Sequence, residues 1–183
     1  MRRIAVLSGL VLVSGVLGPS TALATEDDPH PEDQIRWIAV EDNFAIVLPD
    51  GETFTGDEDP GPIDPNDPPP VGTELFISEV LFATEDGETR GDEVGRTHIQ
   101  CTAQVVEFTF LCDAAFVLDA GSQLLASAHV DFSTEEGPET FDIAVTGGTG
   151  DFFGATGAVS ITDMSTPDET ASLYEADLVL PRD

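Results

Sequence analysis

Three carboxylates stand where acid–base chemistry could be placed. Glu79 shares its strand phase with Leu75, Ile77 and Leu81, so it points where those apolar side chains point. A carboxylate enclosed by apolar walls has a raised pKa and can protonate or deprotonate a substrate. The other phase carries Phe76, Val80 and Phe82, which leaves a solvent-facing Glu79 as the alternative. Asp151 closes a glycine-rich run and is either a second acid or an ordinary aspartate capping its own hairpin. Asp42 falls in register with Ile38, Val40, Phe44, Ile46 and Leu48, an unusual place for a charge, and makes a third candidate.

Other chemistries find no constellation. His98 and His129 sit on polar strand phases and His30 lies in the leading segment. No two of them have ligand spacing with a third partner, so no metal site is expected. No serine or threonine occupies a nucleophile elbow, and with the histidines unpaired a catalytic triad is not expected. The run Gly147-Gly148-Thr149-Gly150 is not followed by a helix or by a lysine at phosphate-binding offset, so neither a P-loop nor a dinucleotide fold fits and no cofactor is expected. Its glycines serve a tight turn and close backbone approach.

The elements that would position these residues are strands. Short alternating segments, punctuated by Gly, Asp, Thr and Pro, predict strands at 36–48, 74–83, 95–105, 108–118, 121–132, 140–147, 155–164 and 170–180. Ile99, Cys101, Ala103 and Val105 alternate with His98, Gln100, Thr102 and Gln104. Phe108, Phe110, Cys112, Ala114 and Phe116 form the next apolar face, then Leu124, Ala126, Ala128, Val130 and Phe132. Phe141, Ile143 and Val145 continue it, and Tyr174, Ala176, Leu178 and Leu180 complete it. Cys101 and Cys112 lie symmetrically about a turn at Val106-Glu107, which places both sulfurs on the inward face of one hairpin, directly opposite each other. That geometry predicts a cross-strand disulfide. Eight antiparallel strands with one apolar face each form a closed up-and-down barrel or a sandwich.

Thr55 to Gly72 carries prolines at 60, 62, 65, 68, 69 and 70 among acidic residues. It can neither pair into a sheet nor fold as a helix, and it predicts an extended acidic loop within about 49–72. At the other extreme, Arg2 and Arg3 precede an apolar run from Ile4 to Leu17, and Ala22-Leu23-Ala24 is a small-x-small cleavage pattern. Residues 1–24 are therefore expected to be a signal peptide and 25–35 an acidic lead-in to one domain over 36–183. No cysteine follows the apolar run, so no lipid or membrane anchor is expected after cleavage, and the protein is expected to be secreted. Beyond that cleavage, 4 arginines face 36 acids, a charge of 4 − 36 = −32, with no lysine anywhere. Such a field repels nucleic acid and anionic lipid surfaces.

The stretch Phe141-Asp142-Ile143-Ala144-Val145-Thr146-Gly147-Gly148-Thr149-Gly150-Asp151-Phe152 resembles the strand–GGTGxF–hairpin signature of the allene oxide cyclase and dirigent barrels. Further matches follow in the same order. Leu75-Phe76-Ile77-Ser78-Glu79-Val80-Leu81 is similar to the first block, with an acidic pair where Ser78-Glu79 stands. Val94-Gly95-Arg96, Gly121-Ser122-Gln123-Leu124 and Tyr174-Glu175 resemble later blocks, so the resemblance spans 71–180. It implies an all-β fold, an eight-stranded antiparallel up-and-down barrel, commonly trimeric, whose interior holds a small apolar molecule. Family members cyclise an unsaturated fatty-acid epoxide or orient phenolic radicals by confining a reactive substrate. The resemblance implies acidic positions at Glu79 and Asp151, and Glu41-Asp42-Asn43 is similar to the Glu-x-Asn of the cyclases. It does not extend to the dirigent arginine, because Thr156 stands in its place, or to the aromatic position after Val94-Gly95-Arg96, which is Cys101.

Two functions remain open. One is a secreted barrel that binds a small apolar ligand and isomerises or cyclises it. The other is a non-enzymatic structural or carrier module whose interior is filled by its own side chains. A cavity of about 300 Å3 or more lined by Glu79 would favour the first.

Overall fold

The computed structural model describes residues 35–56, 68–104, 109–131 and 140–181. The leader, the lead-in up to residue 34, residues 57–67 of the Pro/Asp-rich loop, the Val106-Glu107 turn and the inward candidates Val105, Phe108 and Phe132 lie outside the described residues. Alternation along the chain yields β1 (Ile35–Val47), β2 (Thr53–Thr55), β3 (Glu74–Ala83), β4 (Glu93–Ala103) and β5 (Thr109–Leu118). It continues with β6 (Gln123–Asp131), β7 (Thr140–Thr149), β8 (Thr156–Asp163) and β9 (Ala171–Val179). Consecutive strands from β3 to β9 pair antiparallel, β3 pairs with β1, and β9 returns to β1. Eight strands thus close into an all-antiparallel barrel with no free edge among them. The predicted strand at 74–83 coincides with β3, and the others agree to within a few residues.

Two features depart from the expected pattern. Thr53–Thr55 forms a short extra strand that folds back on Ala45–Val47 after a turn at Pro49-Asp50-Gly51. Gly51 makes that reversal with φ 89° and donates its N–H to the Leu48 carbonyl at 2.9 Å, so part of the expected loop is hairpin. The second departure is in β1. Its pairing with β3 slips between Glu41 and Asn43, so Asp42 is the additional residue of a bulge. The bulge inverts the inward phase. Before it Trp37, Ala39 and Glu41 face the interior, and after it Phe44 and Ile46 do. Ile38 and Val40 therefore face outward, and the single apolar face expected from Ile38 to Leu48 does not exist.

The interior holds two apolar clusters. The larger includes Trp37, Leu81, Phe116, Leu124, Val159, Tyr174 and Ala176. The smaller contains Cys101, Ala103, Phe110, Cys112 and Val130. Cys101 pairs directly with Cys112 across β4 and β5 and is bonded to it, with Cα atoms 4.0 Å apart. The glycine-rich run closes the barrel differently from a tight hairpin. β7 continues through Gly147-Gly148 to Thr149, and Gly150–Phe152 makes one 3-10 turn that returns Phe152, 4% exposed, into the larger cluster. A Cβ on Gly148 would lie 2.6 Å from the Phe152 side chain, so only glycine lets that ring seat there.

Outside the barrel, the β3–β4 connection is ordered around Asp86. Its carboxylate accepts N–H bonds from Glu88 and Thr89 at 2.8 and 2.7 Å and hydroxyl bonds from Thr84 and Thr89. Those donors hold Asp86 far below the usual carboxylate range. Arg90 of the same loop lies 5.8 Å from the Phe82 ring centroid and pairs with Glu169.

Candidate functional site

The bulge and the register of β3 together aim Glu79 inward. Glu79 pairs with Glu41 on β1 and with Thr97 on β4, two positions from Leu81 and Ile77 on the same face. It is 4% exposed, while its outward neighbours Ser78 and Val80 are less enclosed. Its carboxylate accepts a hydrogen bond from the Tyr174 hydroxyl at 2.7 Å. Tyr174, the one tyrosine in the sequence, is 2% exposed. Trp37, the one tryptophan, pairs with Tyr174 across β1 and β9 and stacks on Phe116 with centroids 5.5 Å apart. Phe116 in turn meets the Tyr174 ring edge-on at 5.2 Å. The acid is thus held by the phenol of a three-ring aromatic cluster.

Burial pushes the Glu79 carboxyl up to about 7 against the opposing effect of the Tyr174 hydrogen bond, and Glu41 and Asp42 push it further. The half-buried Glu41 is raised too, by burial and then by Asp42. Desolvation, aided by the facing Glu79 charge, pushes Tyr174 well above its ordinary 10.0. A carboxyl that titrates near neutrality beside a phenol that stays protonated is a proton donor and acceptor suited to acid–base work. Thr97, fully buried and paired with Glu79 in register, leaves its Oγ1 without a hydrogen-bond partner, an unused donor and acceptor at the same level of the barrel.

The other two candidates are elsewhere. Asp42, on the bulge, turns outward and pairs with Arg96, which holds its carboxylate below the ordinary 3.8. Asp151 is exposed beside the 3-10 turn. Its carboxylate accepts from Ser122 Oγ at 2.9 Å, and its backbone N–H donates to the same Oγ at 3.1 Å. That is turn chemistry joining two hairpins. The three acids do not converge; Glu79 instead gains Tyr174, Thr97 and Glu41. The sequence places Tyr174 on an inward phase and in a block of the resemblance, but gives it no role; a lone tyrosine on an inward phase is the available signal.

A groove of about 550 Å3 is lined by outward-facing Phe76, Ser78, His98, Gln100, Asp113 and Leu125 and, from the inward phase, by Ile77, Ile99, Ala114 and Ala126. Glu79 does not line it, so it is not the cavity expected for an interior ligand. Within the barrel, the inward-facing Phe44, Ile77, Ile99, Ala128 and Phe141 are only half-buried. They lie between the two clusters, with Ile99, Ala128 and Phe141 touching both.

No protein-family model matches the sequence, and no curated protein does. Solved structures do match. A pyocyanin demethylase aligns with TM-score 0.53 and 24% identity over 80% of this chain and 99% of that one. The pterocarpan synthase dirigent protein PsPTS1 aligns at 0.56 and 15%, over 82% and 94% of the two chains. The related GePTS1 aligns at 0.52 and 18%, over 78% and 79%. The chain has an allene oxide cyclase/dirigent-like barrel fold.

Proposed function

We propose that this protein is a secreted barrel that binds a small apolar molecule in its interior and isomerises or cyclises it, with Glu79 moving a proton at the bound ligand. The observation that carries the reading is the buried Glu79–Tyr174 hydrogen bond beside the larger apolar cluster. A buried carboxylate costs folding free energy, and a chain has reason to keep one where it does chemistry. In this reading Tyr174 orients the carboxyl, Thr97 offers its free hydroxyl to a polar group of the ligand, and Trp37 and Phe116 exclude water and fix the ligand's plane. Asp42 and Asp151 act as structural partners of Arg96 and Ser122. The Cys101–Cys112 disulfide supports export, because such bonds persist in oxidising compartments. Outward-facing Phe76, Leu111 and Leu125, each more than a third exposed, support self-association, with a trimer as the expected form.

A filled, non-catalytic interior is the second reading, favoured by the close packing of Trp37, Phe116 and Tyr174 on one another, with all three nearly fully buried. Mass spectrometry of small molecules retained by the native exported protein separates the two. The expected result is a retained molecule that is lost from Glu79→Gln. A wild-type protein that retains nothing, and whose Trp37 fluorescence is unmoved by any apolar compound, sinks the ligand-binding reading.

A further inference from the structure

Resting on the interior-ligand reading, we propose that the barrel selects its ligand by charge and shape: its occupant is an uncharged or cationic planar aromatic, and carboxylate ligands such as fatty acids are refused. The first half of the argument is an inventory of cations. The sequence contains no lysine and six arginines. Among the described residues, Arg36 pairs with Glu175 at 2.9 Å, Arg90 with Glu169 and Arg96 with Asp42. Arg36 and Arg96 occupy outward positions of β1 and β4, and Arg90 lies on an external loop. His98 and His129 are exposed on outward phases. No described cation faces the interior.

What does face it is acidic. Glu79 and Glu41 are directly paired inward on adjacent strands. A ligand carboxylate brought to this level would lose its water, meet two like-charged groups and find no counter-ion, which is the costly way to bury a charge. A cation in the same place would find a carboxylate partner and ring faces, both favourable to positive charge. The second half concerns shape. Trp37, Phe116 and Tyr174 form one cluster of rings whose phenol bonds the acid, and half-buried Phe44 and Phe141 face the same interior. Aromatic surfaces gain most from a flat ring system laid against them.

Trp37 serves as the reporter, being the one tryptophan and paired in register with Tyr174. The probes are three tricyclics of matched shape: N-methylacridinium, acridine and an acridine carboxylate. They are titrated into the full exported protein at about pH 8, where Glu79 is mostly ionised, in about half-molar sodium chloride to screen attraction to the acidic exterior. The expected result is saturable Trp37 quenching by the cation and the uncharged probe, with the carboxylate weaker by roughly 100-fold or more. Glu41→Gln, and separately Glu79→Gln, should each narrow that gap, mostly by weakening the cation. A carboxylate that binds within about threefold of the other two overturns charge selection and leaves the interior-ligand reading standing. Cation quenching that salt abolishes, with no saturable binding of acridine, is surface attraction and overturns it as well. Failure of all three probes to quench overturns both readings together.

Discussion

At one end of the barrel interior Cys101, Cys112, Ala103, Phe110 and Val130 make a small apolar cluster closed by a covalent bond. At the other, Glu79 and Tyr174 hold a polar pair among Trp37, Leu81 and Phe116. The first arrangement contributes stability and offers no chemistry. The second gives stability away, because its carboxyl is raised by desolvation, and offers a group that titrates near neutral pH. Each end is legible by what it costs: a chain that needed only a stable barrel could have repeated the disulfide end's solution throughout.

The largest effect that tests this contrast is pH. Glu79 moves from an ordinary 4.5 to about 7 on folding, so the folded state holds the proton more tightly than the unfolded state. Its contribution is fully present below 4.5 and is lost as pH rises through about 7. Stability in urea should therefore fall between about pH 5 and pH 8 by on the order of 3 kcal/mol relative to Glu79→Gln. Glu41 on β1 shifts in the same direction, while Tyr174 on β9 stays protonated throughout. Asp42 is held low by Arg96 and titrates beneath this window. Parallel stability profiles for the two proteins would show that Glu79 is not a buried acid.

The disulfide end should respond to a different perturbation. Replacing both cysteines, Cys101→Ser with Cys112→Ser, should cost about 2–3 kcal/mol, the entropy of closing so short a loop. It should leave the pH difference above intact. If the double serine variant also loses the Glu79 pH dependence, the two ends are one cooperative site and the contrast fails.

Smaller still is the gain from removing the polar pair whole. Glu79→Leu with Tyr174→Phe should stabilise the barrel by about 1–2 kcal/mol at pH 8, measured as a shift in urea midpoint at unchanged slope. Glu79→Leu alone should gain less, because it leaves the Tyr174 hydroxyl buried without an acceptor. A destabilised double variant would mean that the pair is structural and would remove the reason to seek a ligand there.

The strands of this protein were readable because side-chain direction alternates with every residue, and strands such as β5 and β6 needed only their own sequence to reveal their apolar phase. The disulfide was readable because its partners are symmetric about a single turn. Glu79 shares a phase with Leu75, Ile77 and Leu81, but Phe76, Val80 and Phe82 make the other phase apolar too, so the neighbouring strands were needed to turn it inward and to supply its partner. Tyr174 lies 95 residues away along the chain and comes within hydrogen-bonding distance only because β9 closes on β1 and β3 pairs on its other side. The bulge at Asp42 could not be found by counting twos, because an inserted residue is defined by the strand opposite it. The Ser122–Asp151 contact likewise joins two turns that are neighbours only in the folded barrel. Periodicity is a property of one strand, and so the sequence determined faces and elements. Partnership depends on which strands lie side by side, and that was decided only when the barrel closed.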